Sequence, residues 1–338
     1  MSEISVILPA YNEERSIGKT LDSLLRQTRV PDEIVVGDGG SADATRAIVE
    51  GFRSRGAPVR IVDNPARRVG AGRNSAIAAS RGPIVACIDA GNTADSAWLQ
   101  RLTESLDGPD AVAVGTIRPR PESSFQACVA AIVYGYLLEA GPSSRKPPEQ
   151  DLLSSSSIAY PRSVWERAGG YPEWLEAGED KLFATKLRSI GVQVIRRPDA
   201  VVYHHMRGDP ISLFRQIHRY GRGSGLSGQT PLVVALLAFR YAVLAALAAA
   251  MLLVPSPAVS AGAGALAAGG ALAHLFRHGY GALRRCGVGL TPSTLAMAPV
   301  VLAASNLGSI TGHARGNLER WVRPAARRLV KEYMVRWS

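Results

Sequence analysis

The chain has 338 residues and a formal net charge of +11, and its composition changes sharply near residue 230, so more than one structural region is expected. Its three cysteines, Cys87, Cys128 and Cys286, are far apart with no CxxC pair, which suggests neither a disulfide framework nor a zinc site and suits a reducing compartment. The positive charge admits nucleic acid, anionic lipid or phosphorylated substrates as partners, and composition does not choose among them.

In chain order, the N-terminal stretch MSEISVILPAYNEE lacks a cationic start, a long apolar core and a cleavage site, so no signal peptide is expected there. Short β-rich runs then alternate with helical patterns: SVILPA, SIGKTLDSLLRQ, EIVVGDGG, SADATRAIVEGFRSRG, VRIVDN, AGRNSAIAASRG and IVACIDAG. This alternation predicts βαβ units and a mainly parallel sheet. Strands 34–36 and 84–88 are continuously apolar, as strands covered by helices on both faces are. Ligands of open α/β sheets lie outside the carboxyl ends of the strands, so segments 10–13, 38–43, 63–64 and 89–92 are expected to converge on one site. Beyond Gly115 the pattern loosens, and GPSSRKPPEQDLLSSSS (141–157) reads as a mobile or acceptor-facing loop. A strand, a short helix, a loop and a helix beginning near Gly178 follow, and VQVIRRPDAVVYHH predicts two further strands.

From residue 231 the chain changes character. Residues 231–254 are apolar except for Arg240 and long enough to cross a ~30 Å hydrocarbon core. Residues 257–276 are Ala/Gly-rich and just long enough, with small residues that allow close helix packing. A weaker third segment, 290–310, holds Pro292, Pro299, Ser305 and Asn306 and either crosses or is re-entrant. The loop 277–285 and the tail 315–336 are both basic and both favour the cytosolic side. Two crossings plus a re-entrant third segment satisfy both, with the tail on anionic headgroups. A soluble helical bundle is the alternative. The basic residues concentrate near these segments and no aromatic-basic recognition motif occurs, so no nucleic-acid partner is expected.

Six short motifs occur in order along the front region: LPAYNEE (8–14), VGDGGSADAT (36–45), AGRN (71–74), IDAGN (88–92), GED (178–180) and His204 after a strand. Together they resemble family 2 glycosyltransferases of the GT-A fold, over nearly all of residues 4–225. The resemblance implies an α/β class, a Rossmann-like, mainly parallel GT-A domain followed by an all-α membrane region. By the same resemblance, Pro9, Tyr11 and Glu13 with Asp38 hold the donor nucleoside. A carboxylate can accept an N–H from a uracil or guanine edge, and Tyr11 offers a ring for stacking. Asp38 and Asp43 equally suit a turn and N-cap around Gly39, Gly40 and Ser41. Arg73 and Asn74, ahead of a helix-like run, are placed to bind a diphosphate, or are exposed loop residues.

Asp89 stands where the family carries its D-x-D metal motif, whose hard oxygens suit Mn2+ or Mg2+; Gly91 occupies the third position, so the motif is incomplete. Asp180, beside Glu179, matches the acidic pair from which one carboxylate acts as general base in a single inverting displacement. An acidic pair opening a helix also compensates the dipole. His204 is implied near the metal and diphosphate, against a surface pair with His205. The element QIHRYGR (216–222) resembles the Q-x-x-R-W of processive polysaccharide synthases, with Arg219 and Arg222 stabilising the leaving diphosphate. An amphipathic interfacial helix fits the same residues.

The expectation is therefore three regions, 1–228 catalytic, 229–312 membrane and 313–338 a basic amphipathic tail, in a multi-pass protein of the cell membrane with a cytosolic catalytic domain. The partners are a UDP- or GDP-linked sugar, a membrane-associated acceptor (lipid-phosphate, glycolipid or lipid-linked glycan) and the bilayer. The rivals are a processive polysaccharide synthase and a non-catalytic nucleotide-binding membrane scaffold.

Overall fold

The computed structural model describes residues 2–135, 137 and 154–335. The expected loop at 141–157 lies outside the described residues up to position 153. Two compact units are formed: residues 2–120, 154–205 and 327–335 in the first, and 121–135, 137 and 206–326 in the second, among the described residues.

The first unit is built on an eight-stranded sheet in the order β3-β2-β1-β4-β7-β6-β8-β5. Strands β1 (Ile4–Ala10), β2 (Glu33–Asp38), β3 (Val59–Asp63) and β4 (Ile84–Cys87) run parallel. They are joined by α1 (Ile17–Leu25), α2 (Thr45–Ser54) and α3 (Val69–Ala79). Strand β7 (Ile158–Pro161) is antiparallel to β4 and to β6 (Ala111–Pro119). Strand β8 (Gln193–His204) runs parallel to β6, and the short β5 (Asn92–Ala94) lies antiparallel on the end of β8.

Residues 34–36 and 84–87 are continuously apolar because both faces of the sheet are covered there. Val6, Leu8, Ile34 and Val36 pack with Ile17, Leu21, Leu24 and Trp98 on one face. Ile7, Val35 and Val85 pack with Ile77, Tyr160 and Phe183 on the other. Each such fully buried aliphatic contributes about 1.5–3 kcal/mol. The two strands expected within 192–205 form one element whose pairing with β6 is interrupted: Val114 faces Arg196, whereas Thr116 faces Val201. Pro198 falls in the interruption, where its missing N–H costs no ladder bond. A side chain on Gly115 would collide with the Ala200 carbonyl at the same irregularity.

The second unit is helical among the described residues. It contains α5 (Ser124–Ile132), α8 (Pro210–Ser227), α9 (Leu232–Leu253), α10 (Pro257–His274), a π-helical turn (Leu275–Tyr280), α11 (Gly281–Arg285) and α12 (Pro292–Val322). Asp209 caps α8 through the Ser212 N–H at 2.8 Å, with Pro210 in its first turn. The expected basic loop 277–285 is a continuation of α10 through the π turn. Segments 232–253, 257–285 and 292–322 are each long and apolar enough to cross a membrane. Their packing differs: the apolar window of the first is 0% buried and that of the third 33%.

Helices α8 and α12 run side by side in the same direction and touch backbone to backbone. A side chain on Gly312 would collide with the His218 carbonyl, on Gly316 with the Arg222 carbonyl, and on Gly308 would come within 2.9 Å of the Phe214 carbonyl. The spacing of four residues puts these glycines on one face, which lets the axes approach closely.

The remaining helices of the first unit are α4 (Trp98–Thr103), α6 (Arg162–Ala168) and α7 (Glu179–Ser189). The last helix, α13 (Pro324–Val335), belongs to that unit from residue 327 onward. Its Met334 carbonyl accepts from the buried Lys186 ammonium at 2.9 Å, and its Tyr333 hydroxyl donates to the Gly170 carbonyl at 2.8 Å.

Candidate active site

The carboxyl ends of β1 and β2 are stitched together by reciprocal hydrogen bonds. The Asn12 N–H donates to Ser41 Oγ at 2.9 Å, and the Ala42 N–H returns to Asn12 Oδ1 at 2.9 Å. The Glu13 N–H donates to Thr45 Oγ1 at 2.7 Å, and the Glu14 N–H to Asp43 at 3.1 Å. Asn12 adopts a left-handed φ of 54°, tolerated because its short amide bonds locally. Tyr11, beside Pro9, projects 53% exposed next to Gly39, where an added Cβ would lie 3.3 Å from its ring. Glu13 bonds Ser16 Oγ and lies 3.9 Å from where a Cβ on Gly91 would stand.

Asp38 closes β2 with its side chain buried. It accepts from Ser41 Oγ at 2.6 Å, from the Gly40 N–H at 3.2 Å and from Arg46 at 2.8 Å. Burial by itself raises this carboxyl; the bonds from Ser41 and Arg46 outweigh it and hold the group below its ordinary range. Asp38 therefore shapes the turn around Gly40 (φ 78°). Arg46 also reaches Asp63 at 2.9 Å, and the Asn64 N–H donates to the Asp38 carbonyl at 2.8 Å, which joins the end of β3 to the cluster.

Arg73 and Asn74 lie in the second turn of α3, because the helix begins at Val69 rather than after them. Glycines make that early start possible. A side chain on Gly37 would collide with the Gly72 carbonyl across the β2–α3 contact, and a Cβ on Gly70 would lie 3.0 Å from the Pro172 carbonyl. The Arg73 guanidinium is thereby buried, reaching Asp89 at 2.5 Å and Glu179 at 2.6 Å, with the Tyr171 ring 5.3 Å away. Among the described residues, its Nε meets no hydrogen-bond partner. Asn74 accepts from the Tyr171 N–H at 2.8 Å and from Trp165 Nε1 at 3.0 Å, and donates to the Tyr171 carbonyl at 2.9 Å. Both residues thus hold the loop between α6 and α7 against α3.

Asp89 follows β4 and is 37% exposed at its side chain. One oxygen takes Arg73 and the other Ser156 Oγ. Glu179 and Asp180 open α7. Burial raises Glu179, opposed by the Arg73 charge. Burial likewise raises Asp180, against the positive charges of Arg73 and Lys181. Asp180 is half-buried, and its Oδ1 accepts the Lys181 N–H at 2.8 Å. The pairing of β5 with β8 sets Asn92 opposite His204, whose Nδ1 lies 2.9 Å from Asn92 Oδ1. The buried Asn92 Nδ2 has no partner.

Among the described residues, no group of three or more His, Cys, Asp or Glu side chains is assembled to hold a metal. Asp89 supplies a hard oxygen, and Mg2+ commonly takes one or two carboxylates with the rest of its shell from substrate phosphates and water. The site fits a cation that arrives with its diphosphate, not a cage made by the protein.

Arg219 and Arg222 lie on α8 in the second unit. Arg222 forms a two-pronged pair with Glu319, at 3.0 and 2.9 Å, and Arg219 is exposed. Two site neighbours carry no local signal: Ser156 lies in a serine run and Tyr171 follows two glycines.

Residues 5–146 match the family described as Glycosyl transferase family 2. The chain is 32% identical to glycosyltransferase AglE of Haloferax volcanii over 225 residues, 65% of this chain and 72% of that protein. It is 28% identical over 222 residues to the O-antigen chain rhamnosyltransferase RfbN of Salmonella typhimurium, covering 63% and 70% of the two chains. Among solved structures it is similar to the mannosyltransferase PcManGT of Pyrobaculum calidifontis in complex with GDP-Man and Mn2+. There the identity is 23%, the TM-score 0.58, and the match covers 90% of this chain and 87% of that one. The chain spans from 24% to 76% of the length of the curated relatives it matches.

Proposed function

Because the chain belongs to glycosyl transferase family 2, we propose that it moves one sugar from a nucleotide diphosphate sugar to a membrane-associated acceptor, with inversion. Asp180 carries the reading: it is a half-buried carboxylate raised by burial, at the start of α7, next to the Glu179–Arg73–Asp89 bridge. A raised base accepts a proton near neutral pH more readily than an ordinary aspartate. Asp180 takes the proton of the acceptor hydroxyl as that oxygen bonds the anomeric carbon, and the bond from that carbon to the diphosphate breaks. Glu179 and Arg73 are positioning residues that hold Asp89 and the start of α7 in register.

Pro9, Tyr11, Glu13 and Asp38 form the nucleoside end, with Tyr11 stacking on the base and the Asp38 turn shaping the floor. Asn74 fixes the loop behind them. Asp89 and His204 would hold a divalent cation, which supplies charge neutralisation of the leaving diphosphate. Arg219 and Arg222 are the remaining candidates for the diphosphate. Three helices long and apolar enough to cross a membrane support a membrane location, and a tethered site gains most when its acceptor shares that membrane. The relative that works on O-antigen supports a glycan-type acceptor, and a cytosolic catalytic unit in a multi-pass protein completes the reading.

Calorimetric binding of UDP and GDP to the detergent-purified chain, each with and without Mn2+, tests the donor site. The GDP-Man and Mn2+ of the Pyrobaculum neighbour motivate the second pair. Cation-dependent binding of one nucleotide, weakened by Tyr11→Ala, is expected. Binding of neither by the folded protein removes the donor site.

A further inference from the structure

The apolar helices carry a polar cluster that the transfer chemistry does not use. Helices α9 and α10 are antiparallel: Arg240 meets His278, Met251 faces Gly264, and Leu244 faces Gly270. Asn306 of α12 bonds Tyr241 of α9 at 3.0 Å and His274 of α10 at 3.0 Å, so one amide ties three helices together. Beside this satisfied knot lies an unsatisfied charge. The exposed Arg240 guanidinium reaches the His278 ring at 3.5 Å and has no carboxylate within ion-pair distance among the described residues.

Arg240 stands eight residues past Leu232, roughly 12 Å along the helix axis. A guanidinium at that depth in hydrocarbon costs several kcal/mol unless an anion or water meets it. The π turn shapes the other wall. It spans Leu275–Tyr280, directly after His274 and including His278, whose ring centroids are 4.7 Å apart, and π-helical turns in otherwise regular helices concentrate at functional sites. Arg284 and Arg285 continue the positive line toward the end of the hairpin where α9 begins.

We propose that Arg240 and His278, steadied by His274 and Asn306, bind the phosphate of a membrane lipid. A planar guanidinium with several donors suits a phosphate better than a point charge, and the exposed flank of α9 leaves the acyl chains in the bilayer. The inference deepens the membrane-acceptor reading and rests on it for the purpose of the site; the lipid chemistry rests on the cluster alone.

Native mass spectrometry of the full chain in mild detergent tests it, with phosphatidic acid, phosphatidylglycerol and phosphatidylcholine as probes. Wild type is expected to retain one of the two anionic lipids about tenfold more tightly than the zwitterionic one. Arg240→Gln loses that preference and Arg240→Lys keeps part of it. Which anionic lipid is held tells a monoester from a diester phosphate. Equal retention by folded Arg240→Gln, or no preference in wild type, overturns the site. Displacement of the lipid by inorganic phosphate assigns it to a free anion and overturns the lipid assignment. Should Arg240→Gln not fold, His278→Gln carries the same readout with the Asn306 knot intact. Nucleotide calorimetry separates the two readings. Lipid preference lost with nucleotide binding intact isolates the cluster, whereas wild type that keeps lipid but binds no nucleotide sinks the transferase reading alone.

Discussion

In the sheet unit the strand residues that vanish from solvent are aliphatic, and polar groups that vanish with them, such as Arg73, Glu179 and Asp38, meet partners of opposite sign or hydrogen-bond donors. In the helical unit Leu232, Phe239, Leu252 and Leu253 are 67% to 79% exposed, while Ser305, His313 and Thr294 are turned inward. The first pattern is built for water, where exposed charge is cheap and buried charge must be paired. The second inverts it, as lipid demands. Helix α12 stands between them, apolar enough to cross yet one-third buried along glycine-lined contacts with α8.

That contrast can be broken from either side. The largest expected effect is Asp180→Asn, which should lower kcat by about 10³-fold or more while leaving nucleotide affinity nearly unchanged; retained turnover removes Asp180 as base. Arg73→Met leaves Glu179 buried without its cation and should destabilise the sheet unit by about 3–4 kcal/mol, read from denaturant midpoints. The helical unit answers differently to charge. Val243→Lys, on the 41%-exposed flank of α9, should cost about 3 kcal/mol of membrane insertion, whereas in an aqueous bundle it would be nearly neutral. Gly72→Ala, whose Cβ would lie 3.0 Å from the Asn64 amide and 3.3 Å from the Gly37 carbonyl, should cost about 1–2 kcal/mol by overpacking.

The smallest effect concerns pH. Asp180 is raised in the folded state, so its contribution to stability is present below the unfolded value and is lost as pH rises through the folded one. Asp180→Asn should therefore stabilise the protein slightly at neutral pH, with no gain below about pH 4. Asp38, held low, has the opposite sign: its contribution exists above the unfolded value and disappears as pH falls through the folded one. Thermal midpoints of the Asn variant across pH 3–8 check the first, and an unchanged midpoint at neutral pH counts against the burial of Asp180.

What was legible in the sequence was whatever depends on neighbours along the chain. Strands β1 and β2 show as apolar runs ending in polar residues, and those ends meet as expected at Asn12 and Ser41, with Asn64 after β3 bonded to Asp38. The part that depends on fit across the fold was not legible. Nothing local says that Gly37 and Gly72 touch, and without that contact α3 reads as starting too late and Arg73 as a loop residue. Asn92 falls in the expected segment 89–92, but its His204 partner follows only from the pairing of β5 with β8, and Ser156 meets Asp89 across the fold. The α8–α12 contact had a usable signal, glycines at 308, 312 and 316, which the proline-broken apolar pattern obscured.

The docking of α13 onto the sheet unit, through Lys186 and Tyr333, has a consequence in time. Residues 327–335 are synthesised about 320 residues after β1, roughly 15–65 s later at ordinary rates of translation. Until then the Lys186 ammonium lacks its carbonyl and the Gly170 turn its tether. The sheet unit is therefore completed only after the three helices long and apolar enough to cross a membrane, among the described residues, have been made.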